Sequence, residues 1–341
     1  MRSIAVATAA LAGVVNMCLA APAAPAPEQL HVYPATNNTA DGMYTVFTAW
    51  VAIRSAGQPG ASSARLLPRP CACLAYADGG IAWSNGTMAG LAADAATGQY
   101  GAVLNHGDIS YANDYKPASN NSWVWDQYLN EAEAHLDGRA GPHVCIVGNH
   151  EAQHNFMPYL NRTAMPRGST RPLGRFYSYT AVGPVSVISF STEHDVSPGS
   201  EIFDFVASSL QHAASSSVRR ERPWIVVQTH HPFLCTDLLT FSTRCVEQAE
   251  RFRADLEGLF MVAKVDLFFS GHNHMLEASW PYANGTHSED LHNAYERGTV
   301  MSVDTGYARL DVTMTSLAVD FVNSRTGSVW HNFTLTKDAQ A

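Results

Sequence analysis

Between residues 73 and 269 short apolar runs recur with helix-length stretches between them, and this alternation restricts the chain to an α/β layer structure. The runs are Cys73–Ala77, Ala102–Leu104, Val144–Val147, Val185–Phe190, Trp224–Val227 and Asp266–Phe269. Helical patterns fall between them at about 86–97, 122–137, 200–217 and 247–264. The last third changes character, with β-like runs at 299–303, 307–314, 316–323 and 328–335, so antiparallel strands are expected to close the core. Upstream, Leu30–Tyr33 and Tyr44–Val51 read as two strands, too few for a stable β-domain, and 54–70 as a Gly/Ser/Pro/Arg-rich linker. The expected organisation is a small β segment with its linker over 28–70 and one α/β domain over 71–335.

Residues 1–20 read as a secretory signal: Arg2 is the positive end, Ile4–Val15 the apolar core, and Cys18-Leu19-Ala20 the small-residue cleavage region. That core is too short to span a bilayer. Asn-x-Ser/Thr sites at Asn37, Asn85, Asn120, Asn161, Asn284 and Asn332 fit an exported, N-glycosylated chain. In such a compartment Cys235 and Cys245, which flank a short polar loop, are expected to be bridged. Cys73 and Cys145 sit in apolar runs and read as buried thiols. A net charge of −9 with no basic block argues against nucleic-acid and anionic-membrane partners, so an anionic substrate needs local cations.

Open α/β sheets bind ligands beyond the carboxyl ends of their strands. Here each such end is polar. The first run gives way to Asp78-Gly79-Gly80, and the second to Gly107-Asp108-Ile109-Ser110-Tyr111. Gly148-Asn149-His150-Glu151 follows the third, Gln228-Thr229-His230-His231-Pro232 comes after Trp224–Val227, and Ser270-Gly271-His272-Asn273-His274 after Asp266–Phe269. Carboxylates, a phenol, an amide and several imidazoles make a first shell for two cations, which a bridging carboxylate can hold about 3.5–4 Å apart, the spacing that clamps both oxygens of a displacement at phosphorus. Taken singly, His230 reads as a packed histidine, Asp78 as a turn residue and Asn149 as a cap; their joint occurrence at five strand ends favours the dimetal reading. His106 precedes the second loop and reads as packing.

In chain order these residues resemble the five sequence blocks of the calcineurin-like metallophosphoesterases and, more closely, of the purple acid phosphatases. Tyr111 in Gly-Asp-x-x-Tyr is the narrower mark. Ser191-Thr192-Glu193-His194-Asp195 with Pro198-Gly199-Ser200, and Pro223-Trp224 ahead of His230-His231-Pro232, are similar too. Glu28-Gln29-Leu30-His31-Val32 resembles the start of that family's fibronectin-type N-terminal domain, here truncated. The resemblance implies a four-layer α/β/β/α metallophosphoesterase core, an α+β sandwich. It implies Fe(III) held by Asp78, Tyr111 and His274, and a divalent iron, zinc or manganese held by Asn149, His230 and His272, with Asp108 bridging. Hard anionic donors suit the trivalent ion, and imidazoles with an amide the divalent one.

The implied activity is that of a secreted acid phosphatase, extracellular or lysosomal/vacuolar, which cleaves small phosphate monoesters through a hydroxide held at the metals, with a protonated His150 stabilising the developing charge or the leaving group and His231, Arg244 and Glu247 as candidate acids. Alternatives on the same core are a phosphodiesterase or nucleotide pyrophosphatase, or a secreted glycoprotein that keeps the fold without turnover. The chain also departs from the family. His274 is followed by Met275-Leu276-Glu277-Ala278 instead of the usual Tyr-Glu-Arg, no histidine lies between Phe233 and Gln248, and the segment 285–298 is short.

Overall fold

The computed structural model describes residues 71–81, 85–117, 121–136, 140–163, 171–235, 242–274, 276–279, 282–283, 286–287, 299–302 and 305–338. The expected signal at 1–20, the β segment and linker at 28–70, Asn37, Asn120, Asn284 and most of 285–298 lie outside them. In chain order the elements are β1 (Cys71–Tyr76), α1 (Asn85–Ala95), β2 (Tyr100–Asn105), α2 (Ser122–Leu136), β3 (His143–Cys145), α3 (Met157–Arg162), β4 (Tyr177–Val182) and β5 (Val185–Phe190). They continue with α4 (Glu201–Ala214), α5 (Ser216–Glu221), β6 (Trp224–Gln228), α6 (Ser242–Ala263), β7 (Leu267–Phe269), β8 (Leu276–Ser279), β9 (Tyr282–Ala283) and β10 (Thr286–His287). The chain closes with β11 (Thr299–Ser302), β12 (Gly306–Val312), β13 (Ser316–Asn323) and β14 (Val329–Thr336).

Two sheets carry the fold, one in the order β14-β13-β12-β1-β2-β3 and one in the order β4-β5-β6-β7. Strands β1, β2 and β3 run parallel, as do β5, β6 and β7, whereas β12, β13 and β14 join antiparallel. Side chains alternate faces along a strand, so every buried strand feeds two cores. Cys71, Cys73, Ala75, Ala102 and Leu104 point inward and meet Val185, Val187, Trp224 and Val226 of the other sheet. Leu74, Tyr76 and Val103 point outward onto Leu91, Trp125 and Tyr128 of α1 and α2. On the far side Ile188, Phe190, Ile225 and Val227 meet Ile202, Val206 and Leu210 of α4 and Phe252, Leu256 and Phe260 of α6. The result is four layers, helix, sheet, sheet, helix.

Helix α4 shows how local sequence sets an element. Ser200 caps it by accepting from Phe203 N at 3.1 Å, Glu201 and Asp204 oppose the positive end of the dipole, and Ile202, Val206, Leu210 and Ala213 form one buried stripe. The helix stops short of the expected 217. Ser215 Oγ donates to His212 O at 2.7 Å and Ser215 takes an extended conformation, so the chain restarts as α5. Strand β4 lies outside the expected runs; it is the antiparallel partner of β5 across a hairpin at Gly183-Pro184.

Register decides where the polar loops go. Tyr76 pairs with Asn105 and Asn105 with Cys145, while Gln228 pairs with Phe269, so the parallel strands of each sheet end level with one another. Backbone bonds extend this alignment: Asp78 N, Gly79 N and Gly80 N donate to Gly107 O, Asp108 O and Ile109 O at 3.1, 2.9 and 2.8 Å. In the other sheet Thr229 N donates to Phe269 O and Gly271 N to His230 O, both at 3.0 Å. All five expected ligand loops therefore emerge at one end of the sandwich.

Candidate metal centre

Side chains from those loops converge in two groups around one carboxylate. In the first, Tyr111 Oη lies 2.7 Å from His274 Nε2 and 3.1 Å from Asp78 Oδ1, and His274 Nε2 is 3.6 Å from Asp78 Oδ1. In the second, Asn149 Oδ1 lies 3.2 Å from His230 Nε2 and 3.0 Å from His272 Nδ1, with 3.3 Å between the two nitrogens. Asp108 Oδ2 reaches both, at 3.4 Å from Tyr111 Oη and 3.2 Å from His230 Nε2. All seven expected metal ligands are thus brought together, in the two sets that the resemblance implies.

The backbone is bent to achieve this. Asp78, Asp108, Tyr111 and His272 have φ of 54°, 50°, 56° and 75°, a left-handed conformation that side-chain-bearing residues rarely adopt and that clusters at functional sites. Gly148 allows the β3 loop to close in, since a Cβ there would stand 2.2 Å from Asp108 Oδ1. Glu151, buried and absent from the expected ligands, ties two loops by accepting from Ile109 N and Gly148 N, each at 2.9 Å. Only its place in Gly-Asn-His-Glu hints at this role in the sequence.

The donors fit cations. His230 is fully buried, and its Nδ1 donates to His106 O at 2.9 Å, which turns Nε2 toward Asn149, His272 and Asp108. So many lone pairs at hydrogen-bond distance need a proton or a cation among them. In the metal-free protein a proton serves. Burial disfavours charge on His230, but Asp108 outweighs it and pushes the pKa up to about 10. Burial would raise Asp108, yet His230 holds it at about 2. Burial, with His231 and His230 beside it, pushes His272 down to about 3 and leaves it a neutral donor. Burial, reinforced by Asp78 and Asp108, holds the Tyr111 phenol far above its usual range, so only a strong cation would displace its proton.

The two candidate histidines differ. His150 donates its backbone N–H to Asp108 Oδ1 at 2.9 Å, its Nδ1 is fixed 2.8 Å from Asn113 Oδ1, and its Nε2 faces the cluster 3.9 Å from Asp108 Oδ2. His231 has Nε2 only 2.9 Å from Glu193 Oε1, its Nδ1 is buried, and its ring packs 4.3 Å from that of His272. His106 stacks on Phe269 at 5.3 Å. Asp78, Tyr111, His150 and His274 line one end of a cavity of about 1130 Å³. Asn113 carried no signal as a site residue and Glu193 stood only within the family-like stretch 191–195, because each matters through a histidine distant in sequence.

Residues 93–276 match the family described as calcineurin-like phosphoesterase. The chain belongs to this family. Among calcineurin-like phosphoesterases it is similar to acid phosphatase type 7 of Homo sapiens, 31% identical over 67% of this chain and 52% of the relative. Purple acid phosphatase 1 of Ipomoea batatas is 30% identical over 59% of this chain and 41% of the relative. The chain thus spans about half the length of the curated relatives it matches. The structure of purple acid phosphatase PPD1 from Lupinus luteus shares the fold, with a TM-score of 0.69 over 80% of this chain and 54% of the other at 19% identity.

Proposed function

We propose that this calcineurin-like phosphoesterase is an acid phosphatase of the purple type, which hydrolyses small phosphate monoesters at an Fe(III)–M(II) pair. The observation that carries the reading is the position of Asp108 Oδ2 between two donor groups, only one of which contains a phenol. Asp78, Tyr111 and His274 would hold the trivalent ion and Asn149, His230 and His272 the divalent one, zinc being named for the Fe(3+)-Zn(2+) purple acid phosphatase 12 of Arabidopsis thaliana. Bound there, the pair would supply an activated water and neutralise charge on a phosphoryl group.

The protein groups would do the rest. His150, whose Nδ1 is held by Asn113 Oδ1, presents Nε2 beside the cluster, where an imidazolium form would donate to a phosphate oxygen or the leaving group. His231 is assigned a packing role instead, since Glu193 takes its Nε2 and Nδ1 is buried. Export through the N-terminal signal belongs to the same reading, and Asn332, exposed on β14, is a glycosylation position compatible with the fold. No helix among the described residues is long and apolar enough to cross a membrane.

The test combines elemental analysis, a visible spectrum and turnover of aryl phosphate mono- and diesters from acidic to neutral pH. Two metals per chain, a visible band that Tyr111→Phe abolishes, and faster monoester turnover are expected. Full metal loading without turnover of either ester would make the chain a binding protein, and faster diester turnover a phosphodiesterase.

A further inference from the structure

Between His272 and His274 stands Asn273, which is 7% exposed. It meets the bridge between Cys235 and Cys245, whose Cα atoms are 6.0 Å apart. Asn273 Nδ2 donates to Cys235 Sγ at 3.5 Å, and Asn273 Oδ1 lies 3.4 Å from Cys245 Sγ. Neither bridged sulfur carries a proton, so the amide is the only donor in this contact and its orientation is set by the bridge. Cys235 belongs to the loop that carries His230, and Cys245, 2% exposed, lies on α6. The same loop is pinned at Phe233 O, which accepts from Arg253 of α6 at 2.8 Å. His230, His272 and His274, carried by the loops after β6 and β7, thus share one support.

We propose that the Cys235–Cys245 bridge, acting through Asn273, is the positioning element that sets the separation of His272 and His274, and with it the retention of both metals. The proposal rests on the metal reading above. His274 belongs to one donor group and His272 to the other, so a shift of the segment between them loosens both at once. Supports of metal ligands are worth about 10–100-fold in metal affinity. A general loss of core stability would not act selectively on metal retention while the protein stays folded.

The experiment uses the metal-loaded full chain and follows metals per chain by elemental mass spectrometry after dialysis against a graded chelator series, with near-ultraviolet circular dichroism to monitor the fold. The Cys235→Ser/Cys245→Ser variant and Asn273→Ala should each keep the native spectrum and lose both metals at a chelator concentration lower by about 10-fold or more. Combining the three substitutions should add little to the disulfide variant, because both act through one contact. Leu317→Ala, a cavity in β13 of the other sheet, should retain metal like the wild type. If the disulfide variant does not fold, Asn273→Ala, which leaves the bridge itself intact, carries the test against Leu317→Ala. Wild-type retention in the disulfide and Asn273 variants, or an equal loss in Leu317→Ala, would overturn the proposal and leave the metal reading standing. A wild type that binds no metal would remove both.

Discussion

Asp108 and His230 form an ion pair at the heart of the candidate site, and on the metal reading their proton would compete with a cation. His230 rises from 6.5 to about 10, so its contribution to stability is fully present below pH 6.5 and is lost as pH rises through about 10. Asp108 is depressed from 3.8 to about 2, so its contribution is present above pH 3.8 and is lost as pH falls through about 2. Chelated protein should therefore lose stability in urea as pH rises from about 6.5 to about 10, a trend that His230→Asn should flatten. If metals bind as proposed, loading them would displace the proton from His230 and release it to the medium, measurable in a weakly buffered titration. At this scale the sequence located the residues of the cluster that come within three positions of an apolar run, as Asp78, Asn149 and His230 do. It was silent on Asn113 and on the contacts of Glu193 and Asn273, which arise between loops.

At the level of elements, the level ends of β6 and β7 depend on Asp266, which begins the turn into β7. Its Oδ2 accepts from Ile225 N at 2.8 Å and pairs with Arg219 of α5 at 2.9 Å, and its Oδ1 pairs with Lys337 beyond β14 at 2.6 Å. Arg219 also donates to Ala263 O and Lys264 O, both at 2.6 Å, at the end of α6. One carboxylate thereby joins two helices, two strands and the C-terminal tail. Asp266→Ala leaves Arg219 and Lys337 without a counter-charge at a mostly buried position, which should cost about 3–5 kcal/mol in denaturant unfolding while metal content at room temperature is unchanged. The sequence places Asp266 at the start of a strand but does not reveal this network. In the same way Ser215 breaks the expected helix at 200–217 through a local side-chain bond that competes with the helical pattern.

For the whole molecule, the decisive fact is that each donor group draws on both sheets. Asp78 and Tyr111 follow β1 and β2, and their partner His274 follows β7; Asn149 follows β3, and its partners His230 and His272 follow β6 and β7. Two bound ions would therefore clamp one sheet to the other beyond the apolar layer of Leu104, Val187 and Trp224. Chelation should lower Tm cooperatively, because a site saturated to 1,000 times its Kd adds about 4.1 kcal/mol to folding. Scanning calorimetry with and without chelator checks this; an unchanged Tm in a protein shown to have lost its metals would mean that the sheets hold together unaided.

What the amino-acid sequence determined by itself is local in origin. Apolar periodicity specified the α/β layers, and glycines and polar residues at strand ends marked the ligand loops. Cys235 and Cys245 announced their bridge by flanking a short loop. The tertiary structure decided how those loops meet: the pairing of Tyr76 with Asn105 and of Gln228 with Phe269, the facing of two sheets, and hence which donors share Asp108. It also separated His150, turned toward the cluster, from His231, turned toward Glu193. Residue type and period are properties of a short stretch of chain, whereas a distance of about 3 Å between side chains separated by more than a hundred residues depends on register and packing throughout the fold.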